Sequence, residues 1–191
     1  NIAAVDAIAK ELNGVSRSTV EDYIEYMESA NLIYRSLPVE MSGKQVLKAK
    51  SKIYIADAAI RNAVLMDDNL MIDPIQLGIT VETAVYKHIA AFYYQNTARV
   101  GYYRGGKKDN EIDIVVDFPN GKILIEVKYR EAAPIGEKDA IFELADSATC
   151  SIVVTKRNEN YGIQPSKGSK KILMLLAFSF LYLLGKKKKN G

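Results

Sequence analysis

The hydrophobic positions at the start of the chain recur at helical spacing in two short runs. Their apolar stripes are Val5-Ile8-Ala9-Leu12 and Val20-Tyr23-Ile24-Met27. Asn13 and Gly14 separate the runs, because both residue types favour turns. Ser18, with Glu21 three residues later, predicts a capping box at the start of the second helix. A strand pattern, "LIYRSLPVEM", follows directly, so this order predicts a small winged helix-turn-helix over residues 1–50.

From residue 51 to residue 185 the pattern alternates between strand and helix periods. The predicted elements are, in order, a strand at 52–56, a helix after it, a loop in "DDNLMIDPIQLG", a helix in "TVETAVYKHIAAFYYQN", a strand in "ARVGYYRGG", a hairpin in "EIDIVVDFPNGKILIEVKY", a helix at 137–148, a strand at 150–156, a loop with Gly162, Pro165 and Gly168, and a strand and short helix in "ILMLLAFSFLYLLG". Such alternation is typical of a mixed sheet flanked by helices, so the predicted fold class is α/β (α+β). Residues 186–191 are left as a basic tail.

Composition and charge narrow the class of protein. With 48% hydrophobic and 26% charged residues among 191, the chain is globular rather than disordered. Its net charge of +3 rests largely on the lysines at the end of the chain, so nucleic-acid binding is only weakly indicated. A lone cysteine, Cys150, excludes a disulfide framework and favours a reducing cytoplasm. The apolar run 172–185 is shorter than the ~20 residues of a membrane-spanning helix, so no membrane partner is expected.

Two surfaces are candidates for nucleic-acid contact. A winged helix presents the first turns of its second helix to the major groove, where Arg17 would lie. The same helix carries four acidic residues, Glu21, Asp22, Glu25 and Glu28. They would repel phosphate, so a spacer or protein-docking role is favoured over DNA recognition. Arg104, Lys107 and Lys108 follow two tyrosines, where they would either hold a nucleic-acid backbone or form a solvated strand end.

The predicted hairpin carries charged residues on strands that are otherwise apolar. Glu126 and Lys128 are two residues apart and share a face, and Asp113 is expected near Glu126 across the pair. Adjacent carboxylates repel unless a cation joins them, and a hard divalent ion such as Mg²⁺ takes oxygen ligands of this kind. Glu82, on the preceding helix, would add a third carboxylate. The alternatives are a plain ion pair between Asp113 and Lys128 and, for Glu82, stabilisation of a first helical turn by the helix dipole.

Asp113 and the later "EVK" that ends in Lys128, on consecutive strands after a helix bearing Glu82, resemble the core of the PD-(D/E)xK nucleases. The resemblance covers roughly residues 79–157 and implies a restriction-endonuclease-like sheet. It implies that Asp113, Glu126 and Lys128 form the catalytic set. The implied metal ligands are Asp113, Glu126 and Glu82, the ion is Mg²⁺ or Mn²⁺, and the substrate is DNA.

A wider resemblance extends over nearly the whole chain. The segments "KIYIADAAIRNAV", "LGITVETAVYKHI", "YYRGGKKDNEIDIVV" and "ILIEVKY" are similar to the uncharacterised C-terminal region of a prokaryotic AAA-type ATPase family. This implies an upstream ATPase module, and ATP would bind only there, because the present sequence contains no P-loop pattern. The start of the chain inside a helical pattern, without Met, likewise predicts a fragment of a longer protein. The expected function is a metal-dependent DNA endonuclease. The alternative is an inactive nuclease fold that binds DNA or protein, regulates the ATPase, or associates with itself as a homo-oligomer.

Overall fold

The computed structural model describes residues 5–41, 50–66, 73–105, 110–130, 135–136 and 138–189. Its helices are α1 (Val5–Glu11), α2 (Arg17–Ser29), α3 (Ala58–Leu65), α4 (Pro74–Tyr93), α5 (Ala140–Leu144) and α6 (Ala177–Lys189). Its strands are β1 (Ile33–Pro38), β2 (Lys52–Ile55), β3 (Arg99–Arg104), β4 (Glu111–Phe118), β5 (Gly121–Lys128), β6 (Cys150–Thr155), β7 (Gly162–Pro165) and β8 (Lys171–Leu176). This mixture of helices and strands confirms the predicted α/β class.

The eight described strands belong to one mixed sheet with the order β2-β1-β3-β4-β5-β6-β8-β7. The predicted hairpin is confirmed, since β4 and β5 are antiparallel and Phe118 pairs with Gly121 at the turn. β6 and β8 then add in parallel to β5. At the other side of the hairpin, β1 pairs in parallel with β3 and antiparallel with β2. Both strands that flank the predicted domain boundary at residue 50 therefore lie in the same sheet.

Two hydrophobic clusters cover the two faces of the sheet. On one face, Val85 and Ile89 of α4 pack in a cluster with Ile114 of β4. On the other face, Ile141 of α5 packs in a cluster with Val115 of β4. Strand β4 is apolar on both sides for this reason, as expected for a strand buried on both faces. The charged residues of β4 lie near its two ends. The antiparallel partner β5 begins and ends at the same two places.

The N-terminal helices pack on a separate small cluster formed by Val20, Ile24 and Ile33. The predicted stripe of α2 is narrower than expected, because Tyr23 and Met27 are exposed. The predicted capping box is wrong as well. Ser16, not Ser18, is the N-cap of α2, and its hydroxyl oxygen accepts a hydrogen bond from the Thr19 amide at 3.1 Å.

Helix α4 begins earlier than the sequence pattern predicts. The segment expected to be a loop contains the start of the helix, because Asp73 caps it through the Ile75 amide at 2.8 Å and Pro74 occupies the first turn. Glu82 therefore lies in the third turn of α4 rather than in its first. The alternative that attributed Glu82 to the dipole of a first helical turn is wrong, since that effect fades within one turn.

Three further elements differ from the prediction. The helix expected at 137–148 is reduced to α5 and a short 3-10 turn at 145–147. The expected loop after β6 contains β7, which pairs antiparallel with β8 and provides hydrogen-bond partners for its outer edge. Helix α6 continues to Lys189, through lysines that the sequence assigns to a tail. In the described part of the chain, no helix has the length and apolar character needed to cross a bilayer.

Candidate lysine–carboxylate site

The β4–β5 hairpin brings Asp113 and Glu126 together through backbone hydrogen bonds. The amide of Asp113 lies 3.4 Å from Glu126 Oε2, to which it donates. The amide of Val127 donates to Asp113 Oδ2 at 2.9 Å. Each carboxylate is therefore held by the backbone of the opposite strand, at the end of the hairpin away from its turn.

A bulge in β4 determines where Asp113 points. Gly101 pairs with Val115 and Tyr103 pairs with Ile112, so two steps along β3 correspond to three along β4. Ile112 accordingly packs in the same cluster as Val115, whereas Ile114 packs on the opposite face. The alternation of side chains shifts at Asp113. Bulges re-aim side chains in this way, and this one allows Asp113 to meet groups from strands on both sides of β4.

The second group is Lys52, at the start of β2. Its Nζ lies 2.6 Å from Glu111 Oε1, 3.3 Å from Asp113 Oδ1 and 3.5 Å from Glu82 Oε1. Only 3% of the Lys52 side chain is exposed, and its ammonium lies 5.4 Å from the centre of the Tyr102 ring. Burial lowers the pKa of Lys52, but Asp113, Glu82 and Glu111 together raise that pKa above its ordinary value. Lys52 is therefore a buried ammonium ion.

Helix α4 contributes Glu82 to the same cluster. The hydroxyl of Tyr54 donates a hydrogen bond to Glu82 Oε1 at 2.8 Å, and the Tyr54 ring stacks on Tyr86 with centroids 4.1 Å apart. Burial, followed by the charge of Asp113, raises the pKa of Glu82, while Lys52 and the Tyr54 hydrogen bond oppose the shift. Glu82 is thus oriented toward Lys52 and Tyr54.

Lys128 forms the third part of the cluster. Its Nζ lies 3.0 Å from Glu126 Oε1 and 3.1 Å from Asp139 Oδ1, at the start of α5. Burial lowers the pKa of Lys128, yet Glu126 and Asp139 raise it above the ordinary lysine value. Burial, then the charge of Asp113, raises the pKa of Glu126 to about 8, although Lys128 acts in the opposite direction. Burial and the neighbouring carboxylate thus favour the protonated form of Glu126, and an added cation would favour the ionised form.

The charges of the described cluster do not balance. Two ammonium groups, Lys52 and Lys128, contact five carboxylates: Glu82, Glu111, Asp113, Glu126 and Asp139. Arg104 adds a positive charge at the rim, with its Nε 3.8 Å from Glu111 Oε2. An excess of partly buried carboxylates favours proton uptake or the binding of a further cation.

The structure does not bring together, as one set of ligands, the three carboxylates that were expected to bind a divalent ion. Among the described residues, no group of three or more histidine, cysteine or acidic side chains is arranged to hold a metal ion. Glu82 instead shares Lys52 with Asp113. Asp113 and Glu126 have the donor chemistry of Mg²⁺ ligands, since Mg²⁺ is usually bound by one or two carboxylates and keeps several waters. Their four oxygens face Lys52, Lys128 and the amides of Asp113 and Val127.

The predicted nucleic-acid-binding residues fall in three places. Arg17 begins α2, and its Nε lies 3.0 Å from Glu21 Oε1. Arg104 ends β3 at the rim of the cluster, as described above. Lys107 and Lys108 lie outside the described residues.

Lys52, Glu111 and Asp139 are site residues that were not predicted from the sequence. One signal for Lys52 was present, because Lys52 and Tyr54 alternate with Ile53 and Ile55 in "KIYI" and so share a face of β2. Nothing in the sequence showed that this face meets β4, since β2 and β4 are separated in the chain and joined only through the order of the sheet.

The fold and the site define a mixed α/β protein with a cluster of lysines and carboxylates, buried at Lys52 and Glu126 and half-buried elsewhere, at the end of its central hairpin. Residues 77–175, a little more than half of the chain, match the profile of the domain of unknown function DUF4143, and the chain belongs to this family. Residues 1–71 match the domain of unknown function DUF8612. No curated protein and no solved structure matches the chain. Lys52 lies in the DUF8612 segment, whereas all five carboxylates of the cluster lie in the DUF4143 segment.

Proposed function

We propose that this chain is a metal-dependent, nuclease-like phosphodiesterase domain that acts on DNA. One observation carries the proposal. Asp113 and Glu126 lie side by side on adjacent strands, and Lys128 Nζ lies 3.0 Å from Glu126 Oε1. Asp113 and Glu126 would hold one Mg²⁺ or Mn²⁺. Lys128 would place a positive charge where negative charge builds on a phosphate during cleavage.

The chemistry of Asp113 and Glu126 supports a metal-dependent phosphodiesterase. A bound divalent ion would supply an activated water and neutralise phosphate charge. The excess of carboxylates over ammonium groups supports an affinity for such an ion, because an added cation relieves the repulsion between Asp113 and Glu126. Lys128 would stay protonated beside Asp139, so it would act as a fixed charge rather than as a proton acceptor.

Nucleic-acid contacts, a partner module and a location belong to the same proposal. Arg104, at its rim, and Lys107, Lys108 and Arg17 would contact the DNA backbone. The resemblance to the C-terminal region of AAA-type ATPases supports an upstream ATPase module as a partner in the full-length chain, with ATP bound there. The single cysteine supports a cytoplasmic location.

A second candidate function is a nuclease fold without catalysis, which docks a partner or regulates the ATPase. It is favoured by one observation: Lys52 and Lys128 between them contact each of the five carboxylates. A cluster paired in this way can serve as a structural element, because removing one partner of a buried ion pair is costly.

The two functions are separated by a cleavage assay on the purified chain. We would incubate it with supercoiled plasmid and with single-stranded DNA, in Mn²⁺ and in EDTA, alone and joined to its upstream segment. Cleavage that requires Mn²⁺ and is lost in Lys128→Ala supports the phosphodiesterase. A matched control is Lys122→Ala, since Lys122 pairs with Asp117 at the other end of the same hairpin. Cleavage that persists in Lys128→Ala identifies a contaminant, and no cleavage in either form of the chain favours the second candidate.

A further inference from the structure

The cluster is assembled from both matched segments of the chain. The five carboxylates come from α4, β4, β5 and the start of α5, all within the DUF4143 segment. The ammonium group among Glu82, Glu111 and Asp113 comes from β2, in the DUF8612 segment. β2 is the outermost strand of the described sheet, and it pairs there with β1. The N-terminal segment thus places a positive charge inside the site of its neighbour.

We propose that Lys52 is a positioning residue that acts as a resident cation. It occupies the side of the cluster formed by Glu82, Glu111 and Asp113, and it confines a divalent ion to Asp113 and Glu126. The affinity of the site for the ion therefore depends on the position of β2 in the sheet. This inference rests on the proposed function, because it concerns the same ion.

The contacts of Lys52 are those of a built internal position rather than of a surface ion pair. A buried ammonium is costly unless it is paired, and Lys52 pairs with three carboxylates. The backbone that carries it is held at the lysine itself and two residues before it. Ser36 of β1 pairs with Lys52 itself, and the Tyr102 hydroxyl donates a hydrogen bond to the carbonyl of Lys50.

The position of Lys52 explains why Glu82 is not a free ligand. The oxygens that face Lys52 are Glu82 Oε1, Glu111 Oε1 and Asp113 Oδ1. Asp113 uses its other oxygen for the Val127 amide, on the side of Glu126. A divalent ion beside Asp113 and Glu126 is therefore repelled by the ammonium of Lys52, and removing that charge strengthens the attraction of the cluster for cations.

The strand that delivers Lys52 is joined to the rest of the sheet by a close backbone approach. Leu37 of β1 pairs with Gly101 of β3, and a Cβ atom at Gly101 would collide with the carbonyl oxygen of Leu37. Only glycine allows β1 to approach this closely, and β1 in turn holds β2. The position of Lys52 therefore depends on the contact between Gly101 and Leu37.

The test is Mn²⁺ binding, measured by electron paramagnetic resonance and calorimetry on the complete chain. Lys52→Met is expected to bind Mn²⁺ about tenfold more tightly than the wild type or to take a second ion, because it removes the competing charge. Lys52→Arg keeps the charge and is expected to retain the wild-type affinity and stoichiometry. Lys122→Met removes an ammonium from the far end of the hairpin and serves as the matched control, with no change expected.

The outcomes separate this inference from the proposed function. Unchanged binding in a folded Lys52→Met overturns the inference and leaves the proposed ion site intact. Binding in Lys52→Met but not in the wild type would mean that Lys52 excludes the ion instead of confining it, which overturns both the inference and the metal-dependent function of the native chain. Binding in neither protein overturns both. Where Lys52→Met fails to fold in EDTA, Lys52→Gln is measured in its place. If both unfold, recovery by Mn²⁺ supports the inference and failure to recover overturns it.

Discussion

Lys52 Nζ lies 3.3 Å from Asp113 Oδ1, although the two residues are 61 positions apart in the chain. The contact joins the edge strand β2 to the central strand β4, and it places a buried ammonium beside the acid that the sequence singles out. The site therefore extends beyond the hairpin. It is a network of ion pairs between charged residues from several strands and helices.

Replacing Lys128 by alanine is expected to lower Mn²⁺-dependent cleavage by about 10²- to 10³-fold, the usual cost of losing a positioned charge-stabilising group. The variant should still bind Mn²⁺, since Asp113 and Glu126 remain. Initial rates of plasmid nicking, beside Lys122→Ala as the control, provide the measurement. Equal rates in the two variants would remove Lys128 from the proposed machinery.

The stability of the ion-free protein should fall as the pH rises from about 5 to about 8. The pKa of Glu126 is raised to about 8 in the folded state by burial and by Asp113, so the folded chain holds a proton that the unfolded chain has released. A group of this kind stabilises the fold below its unfolded pKa and loses that contribution as the pH approaches the folded pKa. Its slope is at most about 1.4 kcal/mol per pH unit.

The matched variant for this pH dependence is Glu126→Gln, which stays neutral throughout. Urea unfolding in EDTA, repeated across the pH range, should show a shallower slope for this variant than for the wild type. Parallel curves for the two proteins would show that Glu126 ionises normally in the folded state.

Removing the hydroxyl group of Tyr54 should destabilise the protein by about 1–3 kcal/mol, because Glu82 would lose a hydrogen-bond donor in a buried place. The Tyr54→Phe ring still stacks on Tyr86, so the change isolates the hydrogen bond. Denaturant unfolding measures the loss. Tyr161→Phe, at an exposed position, is the control and should be neutral. A neutral Tyr54→Phe would mean that Glu82 needs no such donor.

Replacing Gly101 by alanine should weaken the attachment of β1 to β3, because the new Cβ would meet the carbonyl oxygen of Leu37. Hydrogen exchange should show faster exchange at β1 and β2 than at β5. Gly185→Ala is the contrasting change: nothing lies within 4 Å of that Cβ, and alanine in α6 should stabilise by about 0.5–1 kcal/mol. Similar effects of the two changes would argue against the close approach at Gly101.

The local pattern was sufficient for the elements that form the centre of the sheet. Alternating apolar residues around a Pro-Asn-Gly turn predicted β4 and β5, and the structure has them as an antiparallel pair. Short-range signals were less reliable at element ends. Ser18 was predicted as a cap, yet Ser16 occupies that position. Several residues near a helix start can serve as caps, and backbone geometry decides among them.

The sequence by itself determined that Glu126 and Lys128 share a face of one strand, because a strand repeats every two residues. It also determined that Asp113 lies on the neighbouring strand, because a tight turn joins the two. Only the tertiary structure decided which cation meets these acids. The order of the sheet brings Lys52 in from another strand, and the bulge at Asp113 turns that carboxylate toward it. Contacts of this kind depend on strand pairing between distant segments and on the local twist of a bulge, and neither leaves a periodic signal in the sequence.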